Sequence, residues 1–99
     1  MDLGIPDLTS EQIERLCLIA EEAARKHVLS KVSKKSVERL DVCCEVEGTK
    51  ALRLEISVDV DVSPRLGDLN VQELVNEAVG AGFKSAEKYL RELACRSQR

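Results

Sequence analysis

The fold is decided by the stretch LRLEISVDVDV, which runs from Leu52 to Val62. Its even positions are all apolar, and its odd positions are polar or charged: Arg53, Glu55, Ser57, Asp59 and Asp61. Side chains alternate between the two faces of a β-strand, so this pattern predicts a strand, residues 51–62, with one buried and one wet face. Asp59 and Asp61 share the wet face, about 7 Å apart. They are either a metal-binding or catalytic pair of carboxylates, or the solvated side of a sheet.

A second stretch, residues 38–47, alternates in the same way. Its inner positions are apolar: Leu40, Val42, Cys44 and Val46. The short segment EGTK, residues 47–50, separates the two runs and contains Gly48. A short glycine-containing connection between two alternating runs is typical of a hairpin. The sequence therefore predicts one long antiparallel hairpin.

A helix is predicted on each side of this hairpin. Apolar residues recur at the i, i+3, i+4, i+7 spacing over residues 10–32 and again over residues 70–94. Each run follows a residue that caps helices well, Thr9 in the first case and Asn70 in the second. Glutamine or glutamate stands three positions after each cap, as in a capping box.

The chain of 99 residues is long enough for a single domain. Its elements follow the order α-β-β-α after an irregular lead, residues 1–8. We predict an α+β fold in which two long helices pack on one face of a long antiparallel hairpin. The opposite face of the hairpin stays polar, as antiparallel sheets allow.

Self-association is expected because a hairpin is narrow. Two strands span about 10 Å, whereas one helix with its side chains is already about 10–12 Å across. Both strands also keep unpaired outer edges unless another chain joins them. We expect a homodimer, formed through a continuous four-stranded sheet or through packed helices; a different partner protein would meet the same need. The candidate assembly interface lies on the broad apolar face of the second helix: Val79, Gly82, Phe83, Ala86 and Leu90.

Two further apolar features of the helices need an explanation. Gly82 lies inside the apolar stripe of the second helix, where a glycine is unfavourable unless another backbone comes close. Leu18 and Leu29 fall on the side of the first helix that faces away from its apolar stripe. They are either isolated surface leucines or a second contact face.

The carboxylates of the outer sheet face have a simple interpretation. Alternation alone demands polar residues there, and the neighbouring strand adds both signs of charge: Arg39, Asp41 and Glu45. We favour a solvated face. The alternatives are a site for Mg²⁺ or Ca²⁺, which prefer such oxygen ligands, and a polar docking surface.

The four cysteines are Cys17, Cys43, Cys44 and Cys95. Cys17 and Cys44 fall on apolar positions and are interpreted as small buried hydrophobic residues, with Cys43 as an exposed thiol. The spacing lacks Cys-x-x-Cys, and adjacent residues of a strand point to opposite faces, which disfavours a zinc site. A catalytic Cys43–His27 pair is disfavoured too. We predict no catalytic residues, no metal and no cofactor, and therefore a protein that is not an enzyme.

Positive charge is concentrated in residues 25–39, where Glu38 is the only acid. Cations suit the C-terminal end of a helix, so a solvated helix end is the simpler interpretation. The alternative is an RNA-binding module that contacts phosphates through a basic cluster: Arg25, Lys26, Lys31, Lys34 and Lys35. A net charge of −3, only two aromatic residues and the lack of a GXXG motif argue against a dedicated nucleic-acid binder.

The chain shows neither a membrane span nor a secretion signal. No apolar run approaches 18 residues, and the start, MDLGIPDLTSEQ, lacks the apolar core of a signal peptide. We therefore expect a cytoplasmic protein with no membrane partner, whose cysteines are thiols.

Three stretches carry a resemblance to a known family: AARKHVLSKV, the following ERLDV, and DLNVQELVNEAV. Over residues 8–93 the chain resembles a family of archaeal proteins of about this length that is classed as a domain of unknown function. The resemblance implies an archaeal, intracellular protein with the order α-β-β-α, and it supplies no active residues. The adjacent cysteines at 43–44 are not part of it. An archaeal source leaves open whether any cysteines form a disulfide.

Overall fold

The computed structural model describes residues 8–47, 53–64 and 70–97. The elements of the structure are helix α1 (Ser10–Lys31), a 3₁₀ turn (Lys34–Ser36), strand β1 (Val37–Glu47), strand β2 (Arg53–Val62) and helix α2 (Val71–Ser97). The predicted α+β fold with the order α-β-β-α is confirmed. Three parts of the sequence predictions lie outside the described residues: most of the lead, residues 48–50 of the loop, and residues 51–52 of the second strand.

Each helix is preceded by a residue whose side chain accepts a hydrogen bond from a backbone N–H group in the first turn. At α1, the backbone N–H of Gln12 donates to Thr9 Oγ1 (3.1 Å), and the N–H of Thr9 donates to Gln12 Oε1 (2.9 Å). At α2, the N–H of Glu73 donates to Asn70 Oδ1 (3.0 Å). The first N–H groups of a helix have no partner within it, so these bonds fix where each helix starts.

The two strands form an antiparallel hairpin with a single register along most of its length. Val42 lies opposite Val58, and Cys44 lies opposite Ile56. A register shift between Val37 and Arg39 interrupts the pairing at its open end. Beyond this shift faces alternate, so the even positions from Leu40 to Val46 and from Leu54 to Val62 lie under the helices, and the odd positions form the outer face. Before the shift, Val37 packs against the core and Glu38 is exposed.

The helices cover one face of the hairpin as an antiparallel pair. α1 packs mainly on β1, α2 packs mainly on β2, and the two helices pack extensively on each other. His27 contacts Glu77, and Ala20 lies beside Gly82, so the helices run in opposite directions. The molecule measures 52 × 21 × 20 Å, which matches two helices side by side above one layer of sheet.

The core is aliphatic and lies between the helices and the sheet. Leu16 and Val28 are its largest fully buried side chains. The prediction for Gly82 is confirmed: a Cβ atom there would lie 2.9 Å from Ile56 Cδ1 and 3.0 Å from the carbonyl oxygen of Ala20. A glycine at this position lets α2 approach the backbone of α1. Neither described helix is both long and apolar enough to cross a membrane.

The helix pair is wider than the sheet beneath it. Packed helices lie about 8–10 Å apart, whereas paired strands lie about 4.8 Å apart. The helices therefore bury much of their apolar faces against each other. The expectation of a dimer compared the width of the hairpin with the width of one helix and left out this burial of one helix against the other. The outer side of each helix overhangs the outer edge of the strand below it.

Candidate functional site

The carboxylates of the outer sheet face lie in the open and close to arginine. Arg39 Nε lies 3.4 Å from Asp41 Oδ2 and 3.3 Å from Asp61 Oδ2. Asp59 lies opposite Asp41 across the hairpin, and Glu55 lies opposite Glu45. Asp41, Asp59 and Asp61 are all exposed, and the described residues hold no group of three or more His, Cys, Asp or Glu side chains that could bind a metal ion. This arrangement is typical of a solvated strand face.

The cysteines separate into two environments. Cys43 is exposed on the outer face of the sheet, while Cys17 and Cys44 are partly buried beneath α1. The thiol of Cys17 donates to the carbonyl oxygen of Cys44 (Sγ to O, 3.6 Å). Burial, with a smaller effect of the neighbouring Cys17 thiol, raises the pKa of the Cys44 thiol to about 12. The side chain of Cys95 lies outside the described part of the chain.

The structure does not bring Cys43 and His27 together, the catalytic pair that the sequence disfavours. His27 Nε2 lies 3.5 Å from Glu77 Oε1 of α2, above the inner face of the sheet. Cys43 occupies the outer face, where it pairs across the hairpin with Ser57. The sheet therefore separates the imidazole from this thiol.

The basic cluster surrounds the end of α1 and the 3₁₀ turn that follows. All five of its side chains are exposed: Arg25, Lys26, Lys31, Lys34 and Lys35. The Ser33 hydroxyl accepts from the backbone N–H of Lys35 (3.2 Å) and fixes the turn. Within residues 8–47, 53–64 and 70–97, no ion pair engages any of the five, whereas Arg39 is held by two aspartates. The cluster is thus an exposed concentration of cations that no described acidic residue pairs with.

The five residues of the predicted assembly interface fall into two groups. Gly82 and Ala86 are buried inside the chain's own core, where neither can meet a second chain. Val79 and Leu90 are partly buried, and Phe83 is 40% exposed. We call the second group, Val79, Phe83 and Leu90, the α2 flank.

The α2 flank points sideways from the helix pair. At 100° per residue its three side chains lie roughly 100° from the centre of the buried stripe of α2. Glu77, which contacts α1, lies on the opposite side of that stripe. The flank therefore projects over the outer edge of β2.

The opposite side of the molecule carries a different surface. Leu18 and Leu29 are 59% and 36% exposed on the outer surface of α1, as their helical positions predict. The side of α1 that overhangs β1 carries Glu14, Glu21 and Arg25. Beside β2 the exposed Phe83 thus lies between two partly buried apolar residues, whereas the exposed Leu18 lies in a surface pocket lined mostly by charged residues.

Sequence reasoning missed the contact between Cys17 and Cys44. The two residues are 27 positions apart, and their meeting depends on how α1 is rotated and shifted along β1. Periodicity assigned both to inner faces, but no spacing rule joins a helix position to a strand position.

These features define a class of small α+β proteins in which an antiparallel helix pair covers one face of a two-stranded hairpin. Residues 5–89 match the family described as "Protein of unknown function (DUF3194)". The chain belongs to that family.

Curated relatives come from archaea and are themselves uncharacterized. An uncharacterized protein of Thermococcus kodakarensis is 32% identical over 96 residues, 97% of this chain and 88% of the relative. An uncharacterized protein of Pyrococcus furiosus is 27% identical over 92 residues, 93% of this chain and 82% of the relative. The archaeal character of the family is thereby supported, and its function is not established.

Solved structures share the fold over nearly the whole chain. A crystal structure from Thermococcus onnurineus NA1 matches with a TM-score of 0.76 and 28% identity, covering 93% of this chain and 88% of that one. The solution structure of a hypothetical protein from Methanothermobacter thermautotrophicus matches with a TM-score of 0.72 and 26% identity, covering 88% and 93%.

Proposed function

We propose that this protein is a non-enzymatic binding module that acts as a homodimer, with the two copies joined along the α2 flank. The observation that carries the proposal is the position of Phe83, the only phenylalanine of the chain. It is 40% exposed between two other apolar side chains, Val79 and Leu90, which are themselves only partly buried. A large aromatic side chain left half in water is stabilised by burial in an interface.

A second copy of the chain is the occupant that fits this surface best. In a two-fold dimer the same patch meets itself, so an uncharged apolar patch is complementary to its own copy. The three side chains of the flank carry no charge, whereas the matching side of α1 carries Glu14, Glu21 and Arg25. A self-contact on the α1 side would have to take charged side chains out of water. A self-contact on the α2 side brings apolar side chains together.

Packed helices suit this dimer better than a continuous four-stranded sheet. Because α2 overhangs β2, its flank reaches a neighbouring molecule before the strand edge does. In one register, direct pairing of β2 with its own copy would also set acid against acid on the outer face. For a two-fold axis through Val58, Glu55 would face Asp61 of the other copy, and like charges directly opposite are destabilising.

The solution mass tests this proposal. Light scattering after size exclusion, across a dilution series, should give a mass near twice 11.0 kDa at high concentration. The variant Phe83→Ser should become monomeric at concentrations where the native chain is dimeric. Leu18→Ser is the matched control, since it removes an even more exposed apolar side chain from the other helix and should leave the dimer intact.

Two results would overturn the dimer. The native chain could remain near 11.0 kDa at every concentration, or Phe83→Ser could dimerise as strongly as the native chain. Circular dichroism of both variants establishes that any loss of mass is not a loss of fold.

A second candidate function is RNA binding through the basic cluster. The observation that favours it is that five exposed cations lie together at one end, without an ion pair to any acid in the part of the chain that the structure describes, although the whole chain has a net charge of −3. Unpaired cations attract the phosphate backbone, and a dimer would present the cluster twice.

Retention on a heparin or RNA column tests the second candidate. Retention should fall steeply as salt rises, and a Lys34→Glu/Lys35→Glu variant should lose it. Adding Glu14→Lys to the double variant is a control: it introduces positive charge away from the basic cluster and should not restore retention. If the double variant is retained as well as the native chain, this surface does not bind the polyanion.

A further inference from the structure

We propose that Cys17 and Cys44 form a site of oxidative modification, at which a disulfide joins α1 to β1. The two residues come from different elements and meet beneath α1. Cys17 Sγ lies 3.6 Å from the carbonyl oxygen of Cys44. The Cys17 thiol is also near enough to influence the pKa of the Cys44 thiol. Two cysteines brought into contact by two packed elements are the arrangement from which a disulfide forms with little movement of the backbone.

The strand that carries Cys44 is the less covered of the two. The inner side chains of β1 are all only partly buried: Leu40, Val42, Cys44 and Val46. Their counterparts in the middle of β2 are buried: Ile56, Val58 and Val60. A covalent link at Cys44 would therefore hold α1 on the strand that noncovalent packing secures less well, and partial exposure admits a small oxidant.

The surroundings of the pair also favour a link between these two thiols over a link to another molecule. The hydrogen bond from the Cys17 thiol to the carbonyl oxygen of Cys44 holds the two residues together, while Cys43 is exposed and pairs with Ser57 on the outer face of the sheet. Cys43 therefore cannot compete with Cys44 for Cys17, although it is the neighbouring residue in the chain. The raised pKa of Cys44 keeps this thiol protonated, and so unreactive toward external reagents, until a partner sulfur is activated beside it.

The reaction is an exchange with a small disulfide such as oxidised glutathione. The Cys17 thiolate attacks the small disulfide, which forms a mixed disulfide and releases one small thiolate. Cys44 then loses its proton to solvent, and its sulfur attacks the Cys17 sulfur of the mixed disulfide. The Cys17–Cys44 bond forms, and a second small thiolate leaves. Two protein thiols are oxidised, and one small disulfide is reduced to two thiols.

Peptide mapping after treatment with oxidised glutathione tests the proposal. Blocking the remaining free thiols and digesting without reductant should give one linked peptide pair that contains Cys17 and Cys44. A Cys43→Ser variant is the matched control and should give the same linked pair. The oxidised native chain should melt about 10 °C or more above its reduced form, because a link across a loop of this length restricts the unfolded chain.

The variants Cys17→Ser and Cys44→Ser should each lose both the linked peptide and the difference in melting temperature. The proposal is overturned if the native chain yields only glutathione adducts, or only links that include Cys43 or Cys95. It is also overturned if the Cys17–Cys44 link forms only after the chain has been unfolded, since the folded geometry would then not be its cause.

Discussion

Two glycines of α2 allow the packing of the helix pair to be tested with one chemical change. We predict that Gly82→Ala destabilises the protein and that Gly80→Ala stabilises it. A Cβ atom on Gly80 meets nothing within 4 Å, whereas one on Gly82 lies 2.9 Å from Ile56 Cδ1 and 3.0 Å from the carbonyl oxygen of Ala20. Ile56 can move the end of its side chain, but the carbonyl belongs to the backbone of α1, so the helices must separate.

The magnitudes follow from two opposing effects. Alanine is favoured over glycine inside a helix by about 0.5–1 kcal/mol, and this gain applies at both positions. Forcing an extra methyl group into a packed site costs about 1–3 kcal/mol, and this applies at Gly82 alone. Gly80→Ala should therefore raise the free energy of unfolding by about 0.5–1 kcal/mol. Gly82→Ala should fall below Gly80→Ala by about 1–3 kcal/mol.

Urea denaturation at one fixed chain concentration measures both variants against the native chain. Fixing the concentration matters because dimerisation would add to the apparent stability. Equal stabilisation by the two substitutions would refute the reasoning, since it would mean that α2 does not approach the backbone of α1 at Gly82.

Three further predictions address the core, a helix cap and the buried thiol. Leu16→Ala should lower the free energy of unfolding by about 2–5 kcal/mol, and Leu18→Ala by no more than about 0.5 kcal/mol. Urea denaturation measures both, and similar losses for the two variants would contradict the burial of Leu16. Thr9→Ala should cost about 1 kcal/mol and lower the melting temperature, unless the capping box does not form. The pKa of the Cys44 thiol is raised in the folded chain, from 9.0 to about 12. The contribution of this thiol to the free energy of unfolding is therefore constant below pH 9.0 and falls as the pH rises from 9.0 toward about 12. At pH 9 iodoacetamide should therefore modify Cys43 before Cys44, which mass spectrometry can follow.

The helices and strands of this fold could be predicted from the sequence because each is marked by a pattern of residues that are close together in the chain. Strict alternation around Ile56 and Val58 identified the strand, and Thr9 and Asn70 marked where the helices begin. The wet side of the hairpin also followed from alternation, which explains why Asp59 and Asp61 lie exposed on a charged face. Each of these features depends on residues within a few positions of one another.

The features that the sequence did not reveal depend on how distant elements meet. The broad apolar face of α2 looked like one surface, but Gly82 and Ala86 serve the core and Phe83 lies at its exposed side. Which part of that face remains open depends on the rotation of α2 against α1 and β2. The contact between Cys17 and Cys44 depends in the same way on the placement of α1 over β1.

An isotope-filtered NOE experiment on a mixture of labelled and unlabelled chains shows which surfaces of the two copies touch. Phe83 is the only phenylalanine, so its ring protons report on one position in each copy. A dimer joined along the α2 flank should give contacts between the Phe83 ring of one copy and the methyl groups of Val79 or Leu90 of the other. Contacts between copies that involve only the strand edges, or no contacts between copies at all, would contradict it.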